Sequence, residues 1–556
     1  MNTMTGSQAL VKTLLNEGVK YIFGNPGTSE VPIMNELESY PELKYILVMQ
    51  EGVAMGMADA YARATGKPSF VNLHIETGLA NGMSLLYNSF FGGTPLVVTA
   101  GNKDIMEIAH ERTDLANLVQ PFTKWSAEAT HPDQVAGLIR RAFKEAKTPP
   151  TGPTFVGLSA NALDGNTNVE IPEAGKHYTH IKPDCKSIED AAFLLANANN
   201  PILVVADRVA ESDASHEVIQ LAETLGSQVY SSYYSQMNFP TDHDLYFGPL
   251  RFGFPDSKNI LSKADVVLVI GKMSTSFYMY SNADIQFFGE TSKLIHLDVD
   301  AGNVGKSQTT SVGIIGDPKI SLGQLSGQVQ KIMSAEAIQK AQNRSNTLLI
   351  ENTARRNASK ELLDRKWNTS PMSPERMVAE ITAALPDDFV LADDAVTTRA
   401  AYEHTLKFNN PGSLIGMRGG SLGWGMGAGI GLKLAHPDRP VVAIVGDGSA
   451  IMTIQALWTA AAEKIPILYV ICNNGSYKIL KQAMNTYKTM IKGSTKLDSK
   501  YIGMDFHQPS DIASVAKAMG VWTRRIEDPN DIQIAVKEAL SLNEPSLLDI
   551  IIDGSI

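Results

Sequence analysis

Cysteine is nearly absent from this sequence: its 556 residues include only Cys185 and Cys472. Two widely separated thiols provide neither a disulfide framework nor metal-ligand spacing, and they favour a reducing compartment. No run of about 18 uninterrupted apolar residues occurs, so we expect no membrane span. The N-terminal residues also lack the basic-then-apolar layout of a signal peptide. We therefore expect a cytoplasmic protein.

Basic residues are in the minority, because Lys and Arg total 48 against 59 Asp and Glu, a formal net charge of −11. An acidic chain is poorly matched to a polyanion, so we expect no nucleic-acid partner. Hydrophobic residues at 44% and charged residues at 19% are typical of globular proteins. At about 150 residues per domain, the chain is long enough for three to four domains.

Short apolar runs rich in Val and Ile alternate with helical patterns along the chain. Several runs are apolar at every position, which is typical of parallel strands buried on both faces. The predicted strands are YIFG (21–24), SFVNLH (69–74), PLVVTAG (95–101), PILVVAD (201–207), VVLVIG (266–271), KLIHLDV (293–299), VVAIVGDG (441–448) and ILYVICNN (467–474). Helices are predicted over 29–37, 51–65 and 453–464. The predicted fold class is therefore α/β, with doubly wound parallel sheets.

Two stretches interrupt this alternation: KTPPTGP (147–153), which runs into a polar region, and a charged helical segment over 334–375. They predict an N-terminal domain over 1–180, a middle domain over 190–335 and a C-terminal domain over 360–556. In this fold class ligands bind at the carboxyl ends of the strands, and the first and third units have polar loops there.

The strongest functional signal lies in residues 441–477. A buried strand ends in GDG (446–448), a helix follows, and a second buried strand ends in NN (473–474). In a right-handed βαβ unit both strand ends lie at the same edge of the sheet. Asp447 and Asn474 are therefore expected to converge.

The residue types at this edge suit a hard cation. Asp447 offers a carboxylate, Asn474 an amide oxygen and the loop near Ser476 a carbonyl, and Mg²⁺ commonly completes such a set with phosphate oxygens. A helix starting near Ser449 would direct its N-terminus at a phosphate. The sequence predicts a Mg²⁺–diphosphate site, and the alternative is a pair of turns without a ligand.

Further stretches accompany this unit: GNPGTSEVP (24–32), QEGVAMGMADAYARATGKP (50–68), NLHIETGLAN (72–81), GTPLVVTAG (93–101), KWSAE (124–128) and VVLVIG (266–271). With the GDG and NN strand ends, they resemble the thiamine diphosphate enzymes of the decarboxylase and carboligase superfamily, over essentially the whole chain. The benzoylformate decarboxylases are the branch that the chain resembles most. The resemblance implies a pyrimidine-binding N-terminal domain, a middle domain, a diphosphate-binding C-terminal domain, and thiamine diphosphate and Mg²⁺ as cofactors.

The resemblance also implies cofactor roles. Glu51 would bond the pyrimidine ring nitrogen, Leu422 would hold the cofactor in a V shape, the Gly420 carbonyl would accept from the aminopyrimidine, and Thr397 would bind the diphosphate. The alternatives are a helix-start Glu, core packing for Leu422 and an N-cap for Thr397. The implied cofactor-binding set is Glu51, Thr397, Gly420, Leu422, Gly446, Asp447, Gly448, Ser449, Asn474, Ser476 and Tyr477, with Asp447, Asn474 and Ser476 as metal ligands.

Two residues are implied to face the substrate. Thr28 occupies a position that is Ser in benzoylformate decarboxylases, where it faces the substrate carboxylate, and an N-cap is its alternative. His74 ends a buried strand and would move protons at the reacting carbon, with a core histidine as the alternative. The predicted pocket walls are Glu76, Ile479, Leu480 and Ala483, and Ala483 in place of an aromatic residue indicates a substrate group other than phenyl.

The chain departs from benzoylformate decarboxylases at a second active-site histidine, because residues 271–284 contain none. Tyr278 lies nearest, and a phenol is a poorer proton carrier near neutrality than an imidazole. His110 is the other candidate, although an exposed loop histidine is its plain interpretation. Glu76, two residues after His74, is expected to pair with it by charge.

The implied function is non-oxidative decarboxylation of a 2-oxo acid through a ylid and an enamine. The alternative within the superfamily is a carboligase or lyase, similar to acetolactate synthase or a hydroxyacyl lyase, that acts on aldehydes or ketones. A nucleotide-binding oxidoreductase is a third hypothesis, in which Gly423, Gly425 and Ala428 form a loose dinucleotide loop. That fingerprint is weak, because no strong strand directly precedes it.

The resemblance implies a homodimer or homotetramer with active sites between subunits. Glu51, His74 and Thr28 would come from one chain, and Asp447, Asn474 and Leu422 from its partner. The middle domain holds FAD in some relatives, but residues 190–335 show no convincing nucleotide loop, so FAD is not predicted.

Overall fold

A computed structural model describes residues 3–171, 173–232, 235–252, 255–273, 287–496, 498–506 and 510–556. It contains three six-stranded sheets, each formed by a separate part of the chain, and a small antiparallel pair of Met4–Thr5 with Asn166–Thr167. Helices flank each large sheet, which confirms the predicted α/β doubly wound class. Within the described ranges, no helix combines the length and the apolar character that a membrane crossing requires.

The N-terminal sheet is parallel throughout, because its strands are joined by crossovers that carry helices. Its strands lie in the order Lys44–Leu47, Tyr21–Gly24, Ser69–His74, Leu96–Asn102, Thr154–Ser159 and Trp125–Ala129. The helices of this part are Gly6–Asn16, Val31–Leu37, Glu51–Thr65, Ile75–Gly92, Leu115–Val119, Pro132–Lys147 and Ala160–Asp164, with short 3₁₀ turns at Thr28–Glu30, Ile105–Ala109 and Gln120–Phe122.

The middle sheet is also parallel, and its central strands are apolar at every position and fully buried. The strand order is Tyr246–Leu250, Gln228–Ser232, Pro201–Val205, Val266–Ile270, Lys293–Asp298 and Val312–Ile315. The accompanying helices are Cys185–Ala196, Arg208–Glu211, Ser215–Leu225, Pro255–Leu261 and Pro318–Ile332, followed by the long connecting helix Ala335–Lys366.

The C-terminal sheet repeats the plan of the first. Its strands lie in the order Leu414–Gly416, Val390–Asp394, Val441–Gly446, Leu468–Asn473, Ser546–Ile551 and Trp522–Ile526, all parallel. The helices are Pro374–Ala384, Arg399–Thr405, Trp424–Ala435, Asp447–Met452, Ala456–Ala462, Lys478–Thr486, Ile512–Ala518 and Ile532–Leu542, with a π turn at Tyr487–Ile491 and a 3₁₀ turn at Pro529–Asp531.

The first and third sheets are joined by two helices in close contact, Glu51–Thr65 and Trp424–Ala435. Glycines make this approach possible: a Cβ at Gly427 would lie 2.5 Å from the Val53 carbonyl oxygen, and a Cβ at Gly431 would lie 2.1 Å from that of Met57. Backbone therefore packs on backbone, and residues of both domains share one hydrophobic core.

Arg418 links all three domains. Its guanidinium donates to Glu211 Oε1 of the middle domain at 2.6 Å and to Thr94 Oγ1 of the N-terminal domain at 2.7 Å. The side chain is nearly buried. Bonds of this kind constrain the domains to one relative arrangement, because breaking them would leave a buried charge unpaired.

Two predicted helices differ from the observed ones. The segment 29–37 divides into the 3₁₀ turn Thr28–Glu30 and the helix Val31–Leu37. The helix predicted over 453–464 begins only at Ala456, because Thr453 is not helical and its hydroxyl donates to the Gly423 carbonyl at 2.6 Å. A side-chain bond to a distant backbone competes with local helix formation there.

Candidate active site

Candidate residues of the N-terminal domain lie at the carboxyl ends of neighbouring strands. Thr28 follows Tyr21–Gly24, His74 ends the adjacent strand, and Glu51 begins the helix after Lys44–Leu47. The next two strands in sequence lie on opposite sides of Tyr21–Gly24, so the chain reverses its direction across the sheet here. This edge is therefore a topological switch point. In open α/β sheets ligands bind at such a crevice.

The Glu51 carboxylate is nearly buried, with 6% of the residue exposed. Asn25 donates to its Oε1 at 3.2 Å, and Asn81 donates to its Oε2 at 3.0 Å. Gly78 adjoins it, since a Cβ there would lie 3.1 Å from Oε1. Two neutral amides hold the carboxylate in place without neutralising its charge, so it remains able to bond a further partner.

His74 contacts a carboxylate, but that carboxylate belongs to Glu30. The Nδ1 atom of His74 lies 2.8 Å from Glu30 Oε2 and 2.9 Å from Ser29 Oγ. A Cβ at Gly27 would lie 2.3 Å from the imidazole, so glycine is required for the loop to pass the ring. Because an ionised carboxylate only accepts, this contact assigns the donor role to Nδ1, and Nε2 is the ring nitrogen that the contact does not use.

Glu30 is fully buried, and it is not among the site residues predicted from the sequence. Its Oε2 also accepts from the Gly27 N–H at 2.8 Å, and its Oε1 accepts from the Gly101 N–H at 2.7 Å. Those bonds hold the carboxylate rigidly beneath the imidazole. The available signal was an acidic residue in GTSEVP, in the loop after a strand end and directly before a helix, where a carboxylate has backbone N–H groups to bind.

Glu76 lies in the first turn of the helix Ile75–Gly92, with Oε2 buried and without a hydrogen-bond partner among the described residues. The preceding Ile75 has φ +31°, an uncommon value for a β-branched residue. The expected charge pair between Glu76 and His74 is replaced by the contact with Glu30. The reason is geometric: the imidazole Nδ1 faces the loop 27–30 across the sheet edge.

Asp447 and Asn474 converge in the C-terminal domain as the βαβ unit predicts. Asp447 Oδ2 accepts from the backbone N–H groups of Asn474 at 3.1 Å and Gly475 at 2.7 Å, and its Oδ1 accepts from Gly448 at 2.8 Å. Burial nevertheless raises the pKa of the Asp447 carboxyl to about 6. A cation at this carboxylate would offset that cost of burial.

The helix after GDG starts at Asp447, two residues earlier than predicted, and it has only 6 residues. A helix of this length has a smaller dipole than a longer one, and the anion-binding role near Ser449 stays a prediction. Ser449 instead donates to Asp394 and accepts from the Gly423 N–H at 2.7 Å. Burial also raises the pKa of the Asp394 carboxyl to about 6.

Aromatic rings and glycine shape the loop beside Asp447. The Tyr477 and Phe506 rings meet edge to face at 4.8 Å. A Cβ at Gly448 would lie 2.7 Å from the Tyr477 ring. Ser476 is buried, and its N–H donates to Asn474 Oδ1 at 3.0 Å, which orients that amide oxygen.

The turn that carries Gly420 and Leu422 follows the strand Leu414–Gly416. Gly420 is exposed with φ +93°, and Leu422 is half-buried against the shared core. Thr397 is half-buried after the strand Val390–Asp394, and Thr398 is the residue that precedes the next helix. Like Asp447, these residues lie at the carboxyl edge of the C-terminal sheet.

The C-terminal edge suits Mg²⁺ with a diphosphate. Among the described residues no cluster of three or more His, Cys, Asp or Glu could hold a metal, so a cation there would depend on one carboxylate and neutral oxygens. Asp447, the Asn474 amide and the loop at Ser476 are such a set, and Mg²⁺ accepts one carboxylate when phosphate oxygens complete its shell. The buried Glu51 likewise suits an aromatic ring nitrogen, because its carboxylate remains uncompensated.

The structure gives less support to the remaining predicted site residues. Ile479 is half-buried, whereas Leu480 and Ala483 are exposed on the helix Lys478–Thr486. His110 is exposed after the 3₁₀ turn Ile105–Ala109, and in the described ranges no hydrogen bond or ion pair joins it to His74. Tyr278 lies outside the described residues.

Comparison with known proteins agrees with this geometry. Residues 4–120 match the thiamine pyrophosphate enzyme N-terminal TPP binding domain, residues 188–325 match the central domain, and residues 394–550 match the C-terminal TPP binding domain. The glycine-rich segment considered as a dinucleotide loop lies inside the last of these.

Relatives match over nearly the whole chain. The benzoylformate decarboxylase of Pseudomonas aeruginosa is 28% identical over 554 residues, with 98% of each chain covered. The probable acetolactate synthase large subunit of Methanocaldococcus jannaschii is 29% identical over 568 residues, with 99% of this chain and 92% of that one covered.

Among solved structures, the thiamine diphosphate-dependent 4-hydroxybenzoylformate decarboxylase of Rhodococcus jostii RHA1 superposes with a TM-score of 0.84 at 27% identity. The match covers 99% of this chain and 100% of that one. Three matched domains in the same order, on sheets whose edges carry these polar residues, lead to one assignment. The chain belongs to the thiamine pyrophosphate enzymes and is a thiamine diphosphate-dependent lyase or carboligase related to the benzoylformate decarboxylases.

Proposed function

We propose that this enzyme uses thiamine diphosphate and Mg²⁺ to decarboxylate a 2-oxo acid without oxidation, as its benzoylformate decarboxylase relatives do by name. The observation that carries the proposal is the pair of polar groups at one sheet edge: a buried Glu51 and an imidazole held by Glu30. A decarboxylase needs a group that anchors the cofactor and a group that moves protons beside it.

The residues divide into three roles in this proposal. Glu51 holds the pyrimidine ring, Leu422 packs against the cofactor, and Asp447 with Asn474 and Ser476 holds the Mg²⁺ and the diphosphate. When bound, the cofactor supplies a carbon nucleophile and an electron sink for the bond that releases CO₂.

His74 moves the proton in this proposal. Its Nδ1 is occupied by Glu30, so Nε2 is the atom that would deliver a proton, taken up from solvent, to the oxygen or the carbon of the reacting substrate. Thr28 and Glu76 face the substrate from the same edge, and the exposed Thr28 hydroxyl offers a donor to its carboxylate. Ile479, Leu480 and Ala483 form the opposite wall.

Product analysis tests the proposal. Purified protein with thiamine diphosphate and Mg²⁺ is given pyruvate, a branched 2-oxo acid or benzoylformate, and CO₂ and aldehyde are quantified. We expect stoichiometric CO₂ and aldehyde with at least one of these acids, and no turnover without the cofactor. The Glu51→Gln variant should bind the cofactor yet lose most activity, because the pyrimidine loses its carboxyl partner. Wild-type protein that binds no thiamine diphosphate in the presence of Mg²⁺ would end the proposal.

A carboligase is the second candidate, and two observations favour it. The similarity to an acetolactate synthase is as high as the similarity to a benzoylformate decarboxylase. Residues 271–284 also lack the second histidine that would speed protonation of the product carbon. Adding an aldehyde or 2-oxo acid acceptor to the assay distinguishes the two. A product with a new C–C bond, formed in place of free aldehyde, identifies the carboligase.

We further propose that the enzyme is a homodimer or homotetramer whose active sites are shared between subunits. Two large apolar side chains that are more than one-third exposed, Ile451 and Met452, lie in the helix that begins at Asp447. Exposed apolar surface of this kind is typical of an interface.

Both cysteines are unpaired, which supports the cytoplasm as the proposed location.

A further inference from the structure

The turn that carries Leu422 is built from unusually permissive backbone. Gly419, Gly420 and Gly423 all have positive φ, at +77°, +93° and +94°. Glycine loses more conformational freedom on folding than other residues, so a turn with three of them needs external contacts to adopt one conformation.

The C-terminal domain anchors the end of this turn that follows Leu422. The Gly423 N–H donates to Ser449 Oγ at 2.7 Å, and the Gly423 carbonyl accepts from Thr453 Oγ1 at 2.6 Å. These bonds hold the residue that follows Leu422. They do not reach Ser421, on the other side of Leu422.

The anchor at Ser421 comes from the N-terminal domain. Asn88 Nδ2 donates to the Ser421 carbonyl at 2.8 Å, and the Ser421 N–H donates to Asn88 Oδ1 at 3.0 Å. One side-chain amide thus satisfies both backbone groups of a residue 333 positions away, and Asn88 is 1% exposed. A Cβ at Gly419 would lie 2.6 Å from Asn88 Oδ1, so that glycine makes room for the clamp.

We propose that Asn88 is a positioning residue for the cofactor, acting through Ser421 on the Gly420 carbonyl and the Leu422 side chain. The inference rests on the proposed cofactor roles of Gly420 and Leu422. With Ser421 held by Asn88 and Gly423 held by Ser449, Leu422 is fixed on both sides. Without Asn88, the turn regains freedom that cofactor binding must then remove.

The test compares Asn88→Ala with Asn352→Ala. Asn352 is a matched control in the long helix Ala335–Lys366: it is fully buried, and its amide donates to the carbonyls of Asp244 at 2.8 Å and Tyr246 at 3.1 Å. Both variants lose buried hydrogen bonds, so both should unfold at lower temperature. Affinity for thiamine diphosphate with saturating Mg²⁺ is measured by calorimetry, and near-ultraviolet circular dichroism reports the bound conformation.

We expect Asn88→Ala to weaken cofactor affinity about tenfold or more, as the loss of two hydrogen bonds that order the turn implies. Its bound dichroism spectrum should also differ from wild type, whereas Asn352→Ala should match wild type in both. If Asn88→Ala does not fold, Gly419→Ala disturbs the same contact from the other side and should weaken affinity similarly. Wild-type affinity and spectrum in a folded variant at either position overturn the inference, and wild-type protein that binds no cofactor overturns the proposed function instead.

Discussion

The imidazole Nδ1 of His74 lies 2.8 Å from Oε2 of Glu30, a carboxylate that is fully buried beneath it. The two residues are 44 positions apart and meet because their strands are neighbours in the sheet. A buried carboxylate fixes the tautomer and the orientation of the ring it contacts. In the proposed function, proton transfer by His74 would therefore depend on a residue that does not itself face the substrate.

Exchange of Glu30 for Gln should lower turnover by about 10- to 100-fold, within the range of general acid–base contributions. A glutamine amide would place its N–H donors against either the Gly27 or the Gly101 N–H, and in neither orientation would the ring retain a negatively charged partner. The measurement is kcat across pH, with cofactor affinity as a second readout. Glu38→Gln, at an exposed position, is the control. Unchanged kcat in the Glu30 variant would show that the pair has no role in turnover.

A mixture of two inactive variants tests whether active sites are shared between subunits. Glu51→Gln and Asp447→Ala should each be inactive alone. In mixed dimers one of the two shared sites would contain both an intact Glu51 and an intact Asp447. Random mixing should restore about a quarter of wild-type activity. Mixed dimers that are detected by mass but remain inactive would show that both residues of a site come from the same chain.

The close contact between the helices Glu51–Thr65 and Trp424–Ala435 should not tolerate a methyl group at Gly431. The new Cβ would lie 2.1 Å from the Met57 carbonyl oxygen, and backbone cannot move aside as a flexible side chain can. We expect Gly431→Ala to lower the free energy of unfolding by about 1–3 kcal/mol. Urea denaturation measures this change in the free energy of unfolding.

Gly327→Ala is the matched control, in the helix Pro318–Ile332. A Cβ at Gly327 would have no neighbour within 4 Å, and alanine favours a helix by about 0.5–1 kcal/mol. That variant should therefore be slightly more stable than wild type. A stable Gly431→Ala would mean that the two helices are farther apart than the structure has them.

Lys272 should make stability depend on pH in the alkaline range. Its ammonium lies 3.3 Å from the centre of the Phe91 ring. Burial lowers the pKa of Lys272 to about 8, and repulsion from Arg208, Lys306 and Arg418 adds to this effect. The folded state therefore binds this proton less tightly than the unfolded state does. The resulting penalty is present below pH 8 and is relieved as the pH rises from about 8 towards the unfolded pKa near 10.

Exchange of Lys272 for Met should remove that penalty. At pH 7 we expect a gain of about 1–2 kcal/mol in the free energy of unfolding, a value reduced because the group is partly open to solvent. Relative to wild type, this gain should shrink between pH 8 and 10. The control is Lys331→Met, at an exposed position. Equal pH dependence in wild type and the Lys272 variant would count against the lowered pKa.

Much of the fold follows from local patterns. Buried runs such as 266–270 and 441–446 are apolar at every position because both of their faces are covered, and this is visible without any partner. Asp447 and Asn474 were predicted to converge because a right-handed crossover leaves little choice of geometry. Their strands do pair, and the Asn474 N–H donates to Asp447.

Other features depend on which elements meet in space. The partner of His74 could not be chosen from sequence, because Glu76 is nearer along the chain while Glu30 is nearer across the sheet. The break at Thr453 coincides with a bond from its hydroxyl to the glycine turn, which also donates to Ser449. Side-chain bonds to distant backbone leave no periodic trace in the sequence.

Local sequence patterns are sufficient to predict three parallel α/β units and the polar groups at their strand ends, because strand burial and crossover handedness are consequences of short-range patterning. Contacts between remote residues, such as Glu30 with His74 and Asn88 with Ser421, became visible only in the folded chain. The physical reason is that a hydrogen bond needs its two atoms within about 3 Å, and such closeness between remote residues arises only when whole domains pack.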